Sequence, residues 1–158
     1  MTDESKRQFI GEWARNAATV VLTRRDDLTI VDTKEETGLD FHVQIEREEK
    51  SMRLTFGILL RAVPAPFTPE HANKVLRPTM GQFLGMRKFT YPICLFFFTM
   101  RDDRAFFSWL AEPTLSDGVP KLVHHQSPNC VPLTNDLLDQ VVEGIVAWYD
   151  AVEAVLIA

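Results

Sequence analysis

Three side chains carry the chemistry this sequence could perform: Glu12, Asp40 and Arg61. The stretch from Gly38 to Arg61 holds two apolar runs, F-H-V-Q-I and M-R-L-T-F-G-I-L-L-R, on either side of the charged stretch Glu46 to Lys50. Each run has the length and the β-branched and aromatic content of a strand. The spacing therefore predicts a hairpin with Asp40 near the start of its first strand and Arg61 near the end of its second. A carboxylate facing a cation in this way, with a second carboxylate from Glu12 on the preceding helix, is the skeleton of a metal-dependent phosphodiesterase site. Magnesium takes oxygen ligands from one or two carboxylates and from phosphate, and a nearby cation offsets charge on the phosphoryl group. Taken singly, each residue is unremarkable, because a lone acid beside a helix face or at a strand start is more often solvated or capping. Their order along the chain gives them weight.

The other reactive side chains have weaker claims. His124 and His125 are adjacent on a short predicted strand, so their side chains point to opposite faces and read as an exposed pair, not as metal ligands. Ser127 and His42 lack the spacing of a nucleophile elbow or a triad. Cys94, inside a continuous apolar run, reads as a small core residue. Phe96, Phe97 and Phe98 have no basic residues interleaved and read as packing, not as a base-stacking platform.

The elements that would position the site follow from periodicity. Phe9, Trp13, Ala17 and Val21 recur at helical spacing and predict a helix from Ser5 to Leu22, with Glu12 beside the apolar face. Leu28, Ile30 and Val31 predict a first strand, ahead of the hairpin. Thr68-Pro69-Glu70 is a helix start, and Met80, Phe83 and Leu84 predict a further segment to Met86. Ile93 to Phe98 fits a strand covered on both faces, with A-F-F-S-W-L at 105–110 as its antiparallel partner. Residues 112–132 read as loop with one short strand, Lys121 to His125, and Thr134 caps a long final helix. The order α-β-β-β-α-β-β-(β)-α predicts an α/β (α+β) protein, a mixed central sheet flanked by helices.

With these residues in place the chain resembles the bacterial domain-of-unknown-function family 4365, within the restriction-endonuclease-like PD-(D/E)XK superfamily. The resemblance rests on Gly11-Glu12, Gly38-Leu39-Asp40, Phe56-Gly57-Ile58-Leu59-Leu60-Arg61-Ala62, Tyr91-Pro92-Ile93, Trp109-Leu110-Ala111-Glu112-Pro113 and Trp148-Tyr149, and it spans nearly the whole chain. It implies that Glu12, Asp40 and Arg61 mark the catalytic site, with Asp40 and Glu12 as metal ligands. Two departures stand inside that pattern. Leu59 occupies the position of a Gln or Glu ligand, and leucine has no oxygen to offer. Arg61 replaces the catalytic lysine, and its planar guanidinium cannot shed a proton as an ammonium can. The expectation is a nuclease scaffold with a dismantled metal site and no cofactor, acting as a binding or regulatory module in bacterial phage defence or on a mobile element. The alternative is an active magnesium-dependent DNA endonuclease in which Arg61 serves for lysine and Gln44 or Glu46 supplies the missing ligand.

At 158 residues and 46% hydrophobic content the chain fits one domain, 1–158, with a single substantial core. The net charge of −5 disfavours broad nucleic-acid binding. Two cysteines without metal spacing, no signal-peptide pattern and no long apolar run lead to the expectation of a reduced, cytoplasmic protein without a membrane segment. The final helix is apolar on two adjoining stripes. One runs through Leu137, Val141, Trp148, Val152 and Val155, the other through Leu138, Val142, Ile145, Tyr149 and Leu156. That width predicts a protein partner or a homodimer across the helix, centred on Val141, Ile145 and Tyr149, unless residues 112–132 cover the second stripe.

Overall fold

The computed structural model describes residues 2–32, 38–47, 53–64, 70, 73, 74, 76 and 89–157. Helix α1 spans Asp3–Leu22, with Thr2 as its cap: the Thr2 hydroxyl oxygen accepts from the Ser5 amide at 3.1 Å. Strands β1 (Leu28–Asp32), β2 (Phe41–Ile45) and β3 (Leu54–Val63) form an antiparallel meander. Strand β4 (Ile93–Thr99) lies parallel to β3, and β5 (Arg104–Ser116) runs antiparallel to β4. The far edge of β5 is shared, with Ala111 to Ser116 pairing β6 (Val119–His124) and Phe106 and Phe107 pairing β7 (Val131–Pro132). Helix α2 (Asn135–Ile157) closes the chain, and Thr134 Oγ1 accepts from the Leu137 amide at 3.1 Å. Among the described residues the result is a seven-stranded, mostly antiparallel sheet with helices, a mixed α+β architecture. The helix start expected at Thr68 and the segment to Met86 lie outside the described residues, although Glu70, Asn73, Lys74 and Leu76 are helical.

Period-two alternation on β3 and β4 divides the interior into two layers. On one face Phe56, Ile58, Leu60, Phe96 and Phe98 meet both helices, through Ala14, Ala18 and Leu22 of α1 and Leu138, Val142 and Ile145 of α2. On the other face Leu59, Leu95, Phe97 and Phe106 pack with Leu39, Leu76 and Cys130. All seven residues of β4 are buried, as their unbroken apolar run predicts for a strand covered on both sides. Small residues at 14 and 18 let α1 lie close to the sheet, and Trp13 meets Phe98 edge to face at 6.0 Å between ring centroids.

Three expectations are corrected here. Residues 112–132 are mostly strand, because β5 continues through Pro113 to Ser116 and turns at Asp117-Gly118 into β6. Both residues of that turn have positive φ, 52° and 79°, the conformation a two-residue hairpin requires. This hairpin covers α2, and the Trp148 Nε1 proton goes to the Lys121 carbonyl at 3.0 Å. Between Leu138 and Tyr149 both apolar stripes of α2 are thereby buried by the chain itself. Val141, Ile145 and Tyr149 are 5%, 0% and 8% exposed, so they do not form a surface of the folded chain. Exposed apolar side chains on α2 lie at its C-terminal end, Val155 and Leu156. His124, expected to be exposed, is half-buried, and its Nε2 has no hydrogen-bond partner among the described residues. His125 is exposed and pairs with Glu112 at 3.0 Å.

Arginines tie the helices to the strand connections. Arg25 bridges Asp27 at 2.8 Å and Asp139 of α2 at 2.5 Å, and Arg47 reaches Asp150 at 2.8 Å. The paired carboxylates raise the Arg25 guanidinium well above its ordinary range, and Asp27 is held below the ordinary carboxylate value by Arg25. Among the described residues no helix is long and apolar enough to cross a membrane.

Candidate functional site

Asp40 stands at the bend just before β2, where the antiparallel ladder ends with Phe41 opposite Ile58. On β3 the Gly57 amide points to β4, donating to the Pro92 carbonyl at 2.9 Å. The Leu60 amide, three residues on, therefore points the other way, beyond the last ladder pair. Asp40 Oδ2 accepts from it at 2.7 Å, and the Asp40 amide donates to the Ile58 carbonyl at 3.0 Å. The carboxylate thus extends the sheet where β2 has run out, which is capping work for an acid at a strand start.

Arg61 is the other half of the predicted pair. Its Nη1 donates to the Leu60 carbonyl at 2.7 Å and lies 4.0 Å from Asp40 Oδ2. Both side chains are about one-third exposed, so the ion pair itself contributes only ~0–1 kcal/mol. The two residues do converge, as the hairpin reading predicts. Leu59 does not join them: it is 2% exposed, in the layer away from α1 and α2. Glu12 is exposed on α1 and is not among the described residues that line the cavity beside Asp40; its neighbour Gly11 is.

That cavity, about 380 Å³, lies between α1 and the end of β3. Its charged residues among those described are Arg7, Arg15, Arg61 and Asp40. Apolar wall comes from Ile10 and Ala14 of α1 and from Leu60 and Ala62 of β3. Arg15 is set by two contacts: its Nη1 donates to the Asp40 carbonyl at 3.3 Å, and its guanidinium carbon lies 4.6 Å from the centre of the Phe41 ring. Arg7 and Arg15 were not singled out in the sequence. Their spacing across Gly11, four and eight residues on, marks one helix face and was the available signal.

The described residues do not fit a magnesium site. Among them one carboxylate, Asp40, lines the cavity, already accepting from Leu60, together with three arginines, whereas a divalent cation calls for converging oxygens. Among the described residues no three His, Cys, Asp or Glu side chains gather at a metal-binding spacing. Gln44 and Glu46 cannot supply the missing ligand, since strand rise carries them about 13 and 20 Å from Asp40. Glu46 Oε1 instead accepts from Thr29 at 3.1 Å.

The remaining candidates are structural. His42 meets the Tyr91 hydroxyl at 2.9 Å; burial pushes the imidazole below its ordinary pKa and the phenol above its own. Cys94 and Cys130 are buried free thiols, raised by burial, Cys130 to about 11.

Gly57 shapes the approach to Asp40. A methyl group added there would stand 2.6 Å from Leu39 Cδ1, whose side chain is buried against β3. Gly57→Ala gains ~0.5–1 kcal/mol of backbone entropy but overpacks a buried contact at ~1–3 kcal/mol. The expected result is a net loss of about 1 kcal/mol, read as a lower urea midpoint at unchanged slope. A gain in stability would show that Leu39 swings aside without cost.

The chain matches no protein-family model, no curated protein and no solved structure.

Proposed function

We propose that the chain is a restriction-endonuclease-like scaffold that has lost its metal site and works as a non-catalytic binding module. The observation that carries this reading is the state of Asp40. Its carboxylate accepts from the Leu60 amide and stands among arginines, where an active site of this kind needs a second acid and a ligand at position 59. The element order supports the scaffold: a helix, a three-strand meander, a crossing to a parallel β4 and an antiparallel β5 agree with what the sequence resemblance implies. The setting drawn from that resemblance is bacterial phage defence or a mobile element.

The test is cleavage. Purified protein with magnesium or manganese is expected to leave plasmid and linear DNA intact over hours. Leu59→Gln with Arg61→Lys is not expected to restore activity, because residue 59 lies in the buried layer away from α1 and α2, where an amide costs ~1–3 kcal/mol. Metal-dependent cleavage by the unmodified protein, lost in Asp40→Ala, would overturn the reading.

A further inference from the structure

Strand β6 ends the sheet on its side, and among the described residues nothing pairs with its outer edge. The Asp117-Gly118 turn fixes which backbone groups point outward. Residues flanking a two-residue hairpin turn form a hydrogen-bonded pair, and such pairs recur at every second residue. Ser116 with Val119, Thr114 with Lys121 and Glu112 with Val123 therefore exchange bonds inside the hairpin. Pro120, Leu122 and His124 turn their backbone groups away from β5. Both prolines, Pro113 and Pro120, fall on the pairs that need no donor from them, which agrees with this phase. The outer edge thus offers the amides and carbonyls of Leu122 and His124 and the carbonyl of Pro120. Val119 and Val123 are exposed along the same strand. An open edge with exposed apolar side chains is a template for another strand.

We propose that this edge pairs antiparallel with β6 of a second copy of the chain, in a register centred on Val123. Leu122 of each copy then lies opposite His124 of the other, and every outward amide and carbonyl of both residues finds a partner. Sliding the strands by two residues, so that Leu122 faces itself, would set the His124 carbonyl against Pro120, which has no N–H to give. Sliding them the other way carries Leu122 past the strand end at His124. Pro120 thereby selects the register and stops the pairing on the turn side. At the two-fold axis Val123 meets Val123, so one exposed apolar side chain covers another. Lys121 stands across from His125 of the second copy, the residue that holds Glu112 at 3.0 Å, and a cation approaches a carboxylate at each end. A second copy is favoured over an unrelated extended peptide because the edge complements itself in donors, in apolar contact and in charge. The contact is small. Two short edge strands bury less than the ~1,000 Å² of a permanent interface, so the dimer should dissociate on dilution.

Sedimentation velocity of the full chain from roughly 5 to 500 µM tests the pairing. Monomer is expected at the low end and a rising share of dimer at the high end. Val123→Lys should keep the protein monomeric throughout, because like charges directly opposite one another destabilise a strand pair. Its urea midpoint should stay close to that of the unmodified chain, since the side chain is exposed. Val123→Cys should form a disulfide-linked dimer under mild oxidation, because Cβ atoms in such a pair stand about 4.5 Å apart. Val119→Cys should not, because strand rise separates the two copies of that residue by roughly 25 Å. Cys94 and Cys130 are buried, so the unmodified chain serves as the blank. A monomer at every concentration, a dimer that survives Val123→Lys, or equal cross-linking of the two cysteine variants overturns the proposal.

Discussion

Ile145→Glu is expected to unfold the protein under conditions where the unmodified chain is native. Ile145 is fully buried in the core layer to which α1, α2 and the sheet all contribute, with Phe56, Phe96 and Leu138 in the same layer. A carboxylate placed there loses its hydration and leaves the isoleucine's packing unfilled, and such substitutions cost ~4 kcal/mol or more. A domain of this size has roughly 5–15 kcal/mol in total, so one change removes a large share of its margin. Leu156→Glu is the matched control: that side chain is 70% exposed, and the cost should stay within about 0.5 kcal/mol. Circular dichroism through a urea titration reads both, and size exclusion reports the association state. A well-folded, soluble Ile145→Glu monomer would show that the second stripe of α2 is a surface after all.

The reason that stripe was open to two readings lies in residues 112–124. A sequence pattern shows that α2 must bury two sides but not what meets the second one. The cover comes from the β5–β6 hairpin, and Pro113 masks its signal, because proline cannot donate to a ladder. Pro113 instead sits within the ladder opposite Leu122. The Asp117-Gly118 turn was the legible clue, since that dipeptide between two extended runs is a strong hairpin marker. By contrast α1, the meander and β4 were readable because each has one unbroken period. At the site, the pairing of Asp40 with Arg61 was legible because two strands and a short connection fix it. The role of Asp40 as acceptor for the Leu60 amide was not, because it depends on where β2 stops. The cluster of Arg7 and Arg15 was hidden for a related reason. Arginines on a helix read as solvated until the strand they face is known, and the end of β3 is what turns that face into a cavity wall.

Phe96 and Phe97, adjacent on β4, separate the two layers experimentally. Both are buried, at 0% and 1%, but on opposite faces. Phe96 packs against Phe98 and Phe107, with ring centroids 6.3 and 6.2 Å away, in the layer that holds both helices. Phe97 packs against Phe106 at 6.2 Å in the other layer. Truncation to alanine removes the same atoms at both sites, and each should cost ~3–5 kcal/mol in transfer and cavity terms. The two variants should differ in what they loosen. Phe96→Ala withdraws support from beneath α1 and α2, so amide exchange in both helices should speed up ahead of global unfolding. Phe97→Ala should leave helix protection no lower than its global stability requires, with the cavity arginines in place. Equal loss of helix protection in the two variants would mean that the sheet does not insulate one layer from the other, and the assignment of α1 and α2 to a single face would fall.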